Sequence, residues 1–217
     1  MPTGTDSPEP RPGLRHKSAI VPYTTRWSGE TKLPTAVVAR ARGFGIAFAD
    51  EIISDRDRHG ALWQRDPSRP GTGLPEFGNV HSGRQRRAMR NLLCQVCSGP
   101  ADRDELGTLW LLPDYSDYHQ DWAGWPERMA TPEPPVCLAC ANTAVRVCPA
   151  LRKGHVAIRV GHSVVSGVRG ALYVPGPLLP KPVDDVMVPY EDPAMRWTLA
   201  AHLVRELFQC TIVRLDE

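Results

Sequence analysis

The sequence predicts an α+β fold, a small mixed sheet with helices around a four-cysteine module. Three observations predict it. Short β-branched and aromatic runs recur along all 217 residues, separated by turn residues. At least two segments instead carry apolar residues at helical spacing. With 22 Pro and 18 Gly, the chain is too often interrupted for a coiled coil, a helical solenoid or a membrane bundle.

The elements follow in order. Residues 1–18 are polar and Pro-rich and read as a disordered tail without the apolar core of a secretory signal. Residues 19–81 read as a β-rich part. AIVPYTTRW contains Pro22 and suits an edge strand. FGIAFADEII reads as a strand, SDRDRHG as a turn, and ALWQR as the returning strand of a hairpin, followed by an irregular loop over 66–79. Ser82 and Gln85 fit a capping box for a helix over about 83–93, whose apolar face is Ala88, Met89, Leu92 and Leu93. TLWLL at 108–112 is a buried strand, and residues 113–135 are a long aromatic loop with one helical turn at 126–130. A short helix over 141–148 stops before Pro149. HVAIRV, SVVSGV and ALYVP read as two or three strands divided by Gly, and VMVPY as another. Asp192-Pro193 then opens an amphipathic helix, with Met195, Leu199, Leu203 and Leu207 as one stripe, before a final strand CTIVRL. Residues 155–217, strands plus that C-terminal helix, are expected to form one integrated domain with 19–81; residues 82–154 form a module of their own.

Net charge is +2, too small to mark a nucleic-acid binder by itself, but it is unevenly spread. Residues 1–101 hold 15 basic and 9 acidic side chains, residues 102–133 hold 2 and 8, residues 134–183 hold 6 and none, and residues 184–217 hold 3 and 7. Of the 26 basic residues 22 are Arg, as expected of a GC-rich bacterial genome, with selection for phosphate forks as the other reading. No apolar run reaches the roughly 20 residues that span a bilayer. A cytoplasmic, reducing compartment follows, and there six Cys point to metal or chemistry rather than to disulfides.

Cys94-Gln-Val-Cys97 and Cys137-Leu-Ala-Cys140 are two C-x2-C pairs separated by 39 residues. Such a pair bends the chain so that both sulfurs face one point, and two pairs complete a tetrahedral shell with Zn–S of about 2.3 Å. Cys94, Cys97, Cys137 and Cys140 are therefore the predicted ligands of a structural Zn2+. Four thiolates leave no position for an activated water, so this zinc is not expected to be catalytic.

The knuckle CQVC, the strand TLWLL and a second knuckle CLAC opening a helix resemble a treble-clef zinc finger. Residues 82–154 are also similar to the zinc-bearing subset of HNH endonucleases, where a basic segment precedes the first pair and the second reads CxxCN; here CLACAN displaces Asn142 by one. That resemblance implies a His on the strand between the knuckles. This strand ends Leu112-Pro113-Asp114, and the insert's one His is His119. Without that base the nuclease chemistry lacks its proton acceptor, and the resemblance implies a non-catalytic relative or a convergent finger.

Arg84, Arg86, Arg87 and Arg90 precede the first knuckle on a helix. With Arg146, Arg152 and Lys153 they form a candidate basic face for DNA or RNA. Four phosphate contacts would give a log–log salt slope of roughly −3.6 on duplex DNA. The competing reading is a solvated helix face neutralised by the acidic insert. Two further readings stay open: a protein-interaction module using the Trp- and Tyr-rich loop at 113–129, and a diverged HNH-like nuclease acting through His119. Cys148 and Cys210 read as packing thiols, and Asp55, Asp57 and His59 as turn chemistry. His155 and His162 carry no motif, and no Gly-rich phosphate loop, nucleophile elbow or HExxH is present.

Overall fold

The computed structural model describes residues 15–16, 19–31, 35–114 and 122–215. The expected tail lies outside them except for Arg15 and His16. In chain order the described strands begin with β1 (Arg15–His16), β2 (Ala19–Ile20), β3 (Thr25–Trp27), β4 (Val37–Ala39), β5 (Ile46–Phe48), β6 (Leu62–Trp63) and β7 (Pro75–Val80). The first helix, α1 (Ser82–Asn91), follows, then β8 (Arg103–Asp104), β9 (Gly107–Pro113) and β10 (Ala130–Thr131). Helix α2 (Leu138–Val147) precedes three long strands, β11 (His155–Val174), β12 (Lys181–Pro189) and β13 (Thr198–Val213). The architecture is a mixed sheet with two helices.

The main sheet runs β10-β13-β11-β9-β8, with β12 paired to the outer half of β11 and β6 to the start of β13. Its pairings are antiparallel except β6 with β13, where Leu62 faces Leu199 and Trp63 faces Ala200. Strands β1 and β2, β3 and β7, and β4 and β5 make three separate antiparallel pairs. Trp110, Ile158 and Leu207 are fully buried in one core cluster of the main sheet, where β9, β11 and β13 lie side by side. The Trp110 indole N–H donates to the Glu133 carbonyl at 3.0 Å, so the ring is buried without an orphaned donor.

Several expectations are corrected. No helix follows Asp192. Its carboxylate does cap the next turn, accepting from the Ala194 N–H at 2.8 Å, but only a five-residue 3-10 turn, Pro193–Trp197, forms before β13 begins. A spacing of four suits a helix, yet it is also even, so Leu199, Leu203 and Leu207 equally fit strand alternation. A bulge opposite Arg169/Gly170 shifts the parity, and the three leucines enter three different clusters. Pairing along β11 outweighs the helical propensity.

The glycines expected to divide residues 155–174 into separate strands sit inside one twenty-residue strand. At Gly167 an added Cβ would lie 2.2 Å from the Val188 carbonyl oxygen, and at Gly170 2.1 Å from that of Leu199. These glycines permit close backbone approach at bulges rather than ending strands. The 61–65 segment does not return against β5 but joins β13 in parallel, and residues 75–79, the end of the expected loop, belong instead to β7, which pairs with β3.

Helix α1 starts one residue early, with His81 rather than Ser82 as N-cap; the His81 Nδ1 accepts from the Arg84 N–H at 3.3 Å. Burial and Arg84 push the His81 pKa down, keeping the ring neutral. Gln85 does not close a capping box. Its side-chain amide donates to the Leu203 carbonyl and accepts from the Leu203 N–H, both at 2.9 Å, like a one-residue strand neighbour. Arg205, also buried, donates to the Met89 carbonyl in the last turn of α1 at 2.9 Å, a favourable place for a cation. Helix α1 is thereby fastened to β13 by a side chain near each of its ends.

Arg84 is 4% exposed and Glu30 1%. The guanidinium donates to both carboxylate oxygens, at 2.6 and 2.8 Å, and to the Thr25 carbonyl at 2.7 Å. The carboxylate also accepts from the Trp27 and Arg69 N–H groups. Burial works to raise the Glu30 pKa, but Arg84 and the two N–H groups outweigh it and hold it at about 2. With the folded value depressed, this contribution is full above the unfolded carboxyl pKa and disappears as pH falls from about 4.5 toward 2. Glu30→Gln should destabilise the protein by about 3–5 kcal/mol in denaturant titration, because it leaves a buried guanidinium unpaired. The variant should also lose part of the wild type's acid sensitivity between pH 4.5 and 2. An unchanged denaturation midpoint would show the pair to be dispensable.

Candidate metal centre

The first C-x2-C pair follows α1 directly. Leu92 ends the helix in the left-handed region, at φ 50°, and turns the chain into the knuckle. There the Cys94 N–H donates to the Gly99 carbonyl at 2.7 Å, and the Ser98 N–H to the Cys94 carbonyl at 2.9 Å. Ser98 takes φ 61°, which closes the loop. The Val96 N–H points at the Cys94 Sγ, 3.4 Å away. The second pair opens α2: Cys137 is its N-cap residue, with its carbonyl accepting from the Ala141 N–H at 2.9 Å, and Cys140 lies one turn on. A helix N-terminus favours negative charge, and so favours thiolates there.

Backbone hydrogen bonds also join the halves. Gln95 N–H donates to the Pro135 carbonyl at 3.0 Å, Asp102 N–H to that of Val136 at 3.0 Å, and Val136 N–H to that of Leu109 at 3.0 Å. Residues 132–137 are thus laid between the first knuckle and β9. From the other side the Tyr23 N–H donates to the Val96 carbonyl at 2.9 Å. Beneath the sulfurs lie Leu109, Leu111, Val136, Ala141 and Ala157, all buried.

The ligand atoms of Cys94, Cys97, Cys137 and Cys140 all lie within 4.8 Å of one another, and the Cys97 and Cys137 sulfurs are 3.9 Å apart. A tetrahedron with metal–sulfur bonds of about 2.3 Å has edges of about 3.8 Å. The four cysteines form a cluster of the size that holds one metal ion, and their donor set is all sulfur. Cys94 is buried and the other three are half-buried. Protons divide unevenly over them. Cys94 is pulled down by a hydrogen bond from Cys140 and by backbone N–H groups of Cys137, Cys97 and Val96. Burial pushes Cys97 up, and the proton shared with Cys94 pushes Cys140 up. A thiolate is favoured at Cys94 and opposed at Cys97 and Cys140; a divalent cation bound among the sulfurs would favour the thiolate form of its ligands.

The other predicted residues separate. Arg84 is corrected: its commitment to Glu30 removes it from any basic face. Arg86 is half-buried, with its guanidinium 4.4 Å above the Trp63 ring. Arg87 and Arg90 are exposed, as are Arg146 in the last turn of α2 and Arg152 and Lys153 just beyond. Arg87 is near the metal cluster, since it reaches the Tyr23 hydroxyl at 3.4 Å and Tyr23 is bonded to the first knuckle.

The acidic insert has other partners. Asp102 and Asp104 pair with Arg159 at 2.6 and 3.0 Å. The Glu127 carboxylate accepts from the Gln209 and Cys210 N–H groups, and Glu133 is bonded to Thr131. Trp125 packs against a core cluster, while Trp122 stays 37% exposed. Tyr115, Tyr118 and His119 lie outside the described residues. Cys148 ends α2, and Cys210 packs beside the core of the main sheet.

Asp57 builds its turn as expected. One oxygen accepts from the His59 and Ala61 N–H groups, the other from the Trp63 indole and the Tyr190 hydroxyl. What sequence reasoning missed is where that turn lies: His59 and Arg58 line the same cavity as Arg86 and Arg90 of α1. Nothing local in the sequence signals a contact between segments so far apart in the chain.

If the cluster holds a metal, Cys148 and Cys210 are at most the two thiols that react with a disulfide reagent in native protein, and all six react after chelation. Chelation should also lower the Tm by more than about 10 °C, as each kcal/mol is about 2–4 °C in a chain of this size. Six reactive thiols before chelation, or an unchanged Tm after it, would contradict a bound metal.

Among the described residues no helix is long and apolar enough to cross a membrane. Comparison of the chain with protein-family models, with curated proteins and with solved structures finds no match.

Proposed function

We propose that this chain is a zinc-stabilised binding protein whose metal module is of the treble-clef type, and that it contacts nucleic acid without catalysing a reaction. A knuckle at 94–97, the hairpin of β8 and β9, and a second cysteine pair opening α2 support the treble-clef reading. An all-sulfur donor set supports zinc in a structural role, because it closes the coordination shell. Zinc would tie the end of α1 to the start of α2, the two helices that carry the candidate basic residues.

The observation that carries the nucleic-acid reading is the accessibility of Arg87, Arg90, Arg146, Arg152 and Lys153, which stay exposed while the insert's Asp102, Asp104, Glu127 and Glu133 are engaged elsewhere. Internal neutralisation was the competing explanation for these cations, and those four carboxylates do not supply it. Guanidinium contacts to phosphate position a protein without reading bases, so weak sequence preference is expected.

The test replaces Arg87 and Arg90 by Glu and follows elution from immobilised duplex DNA. Retention at low salt should be lost while the Tm stays within about 2 °C, as surface changes are usually within about 0.5 kcal/mol. Arg84→Glu is unsuitable because it would unfold the site around Glu30. No retention of wild-type protein at low salt would defeat the nucleic-acid reading.

A further inference from the structure

A second feature lies apart from the cysteines. The turn after β5, the exposed side of α1 and the end of β12 enclose a cavity of about 570 Å³. Its cationic lining is Arg56, Arg58, Arg86 and Arg90, and its one carboxylate is Asp57. Arg56 is already occupied: it holds Glu51 through two bonds of 2.8 Å and donates to the Gly60 and Ile46 carbonyls. Asp57 is occupied too, by two backbone N–H groups, the Trp63 indole and the Tyr190 hydroxyl.

Among the described residues, three guanidinium groups therefore remain without a carboxylate salt bridge, although the Asp57 charge acts on Arg86 from nearby. Arg58 donates to the His59 ring at 3.1 Å, Arg86 rests on Trp63, and Arg90 is exposed one helical turn from Arg86. Burial and the neighbouring Arg90 lower the Arg86 pKa, a sign that these like charges are close and partly desolvated. Such a group of cations is costly unless an anion joins it. The walls are aromatic. His59 stacks on Tyr190 with ring centroids 4.0 Å apart and planes 18° apart, and the Trp63 ring carries Arg86. Burial and Asp57 raise the Tyr190 pKa, so its hydroxyl stays a neutral donor. The adjoining cleft shares Arg56, His59 and Tyr190 but adds Glu191 and Asp192 to its arginines, and its mixed charge does not select an anion.

We propose that this cavity is a binding site for a phosphate monoester, with Arg58, Arg86 and Arg90 holding the phosphoryl oxygens and the aromatic walls receiving the group attached to it. Guanidinium forks match the several oxygens of a phosphoryl group better than a single carboxylate does. The cavity exceeds a phosphate ion in size, which leaves room for an organic substituent. A free nucleotide and the phosphorylated end of a polynucleotide carry the same chemistry. The polynucleotide source alone rests on the nucleic-acid reading above.

Calorimetric titration of the full, zinc-loaded chain at constant ionic strength tests it. Inorganic phosphate should bind saturably at one site per chain. Arg58→Gln and Arg90→Gln, both at exposed positions that leave the fold intact, should each weaken it by about tenfold or more, the size of one charge-assisted hydrogen bond. Arg103→Gln, a charge loss on β8 away from the cavity, should bind like wild type. A nucleoside 5′-monophosphate binding more tightly than phosphate would support the site with a free ligand as its source. Preference for a 5′-phosphorylated over a 5′-hydroxyl oligonucleotide would support it with a chain end as source. Absence of saturable phosphate binding, or equal losses in Arg103→Gln, would overturn the proposal. Phosphate binding without retention on duplex DNA would instead remove the nucleic-acid reading and leave the cavity's assignment standing.

Discussion

Four thiols crowded into one small volume are the constraint on which the middle of this protein depends. Their mutual distances suit a single cation, and the raised Cys97 and Cys140 set against a lowered Cys94 show that their environment favours a thiolate at only one of these three. The cysteines come from a knuckle after α1 and from the first turn of α2, so anything bound there couples two helices far apart in sequence. That coupling is reinforced by the backbone bonds of residues 132–137 to both β9 and the knuckle. A metal would complete a site that the chain already preorganises, in keeping with a structural ion.

The long strands give this centre its base. Strand β11 pairs on one side with β9, which runs from the cysteine region, and on the other with β13, which is bonded to Gln85 of α1 through Leu203 and whose own Arg205 donates to the Met89 carbonyl of α1. Helix α1 thus connects three things: the sheet through Gln85, the N-terminal segment through Arg84 and Glu30, and the metal cluster through its C-terminal turn. Its remaining faces present Arg86, Arg87 and Arg90. The buried ion pair is costly to desolvate and is offset by two guanidinium–carboxylate bonds and by the Thr25 carbonyl and the Trp27 and Arg69 N–H groups, although Arg84 Nε has no hydrogen-bond partner among the described residues. That geometry sorts the arginines of α1 into one that builds the fold and three that face ligand or solvent.

Legibility in the sequence followed the range of the interactions. The four cysteines, the buried strand TLWLL and both helices were readable because each signal is local: a spacing, an apolar run, a helical period. The stretch after Asp192 misled because a leucine spacing of four satisfies helix and strand alike, and only the partner strand decides between them. Glycines in residues 155–174 looked like interruptions, since their function depends on carbonyls of β12 and β13 that approach from elsewhere. The Arg84–Glu30 pair and the cavity around Arg58, Arg86 and Arg90 were hidden for the same reason. Each joins residues tens of positions apart, and single-chain patterns carry no record of such meetings. Charge counting suggested cancellation of the basic helix by the acidic insert, whereas four of that insert's carboxylates, Asp102, Asp104, Glu127 and Glu133, serve Arg159, backbone N–H groups and Thr131.

X-ray absorption at the zinc edge on purified, reduced protein tests the central claim most directly. The account predicts one zinc per chain surrounded by four sulfurs at about 2.3 Å, with no nitrogen or oxygen in the shell. Protein that carries no stoichiometric zinc, or zinc with a water or other oxygen ligand in place of a cysteine, would contradict it.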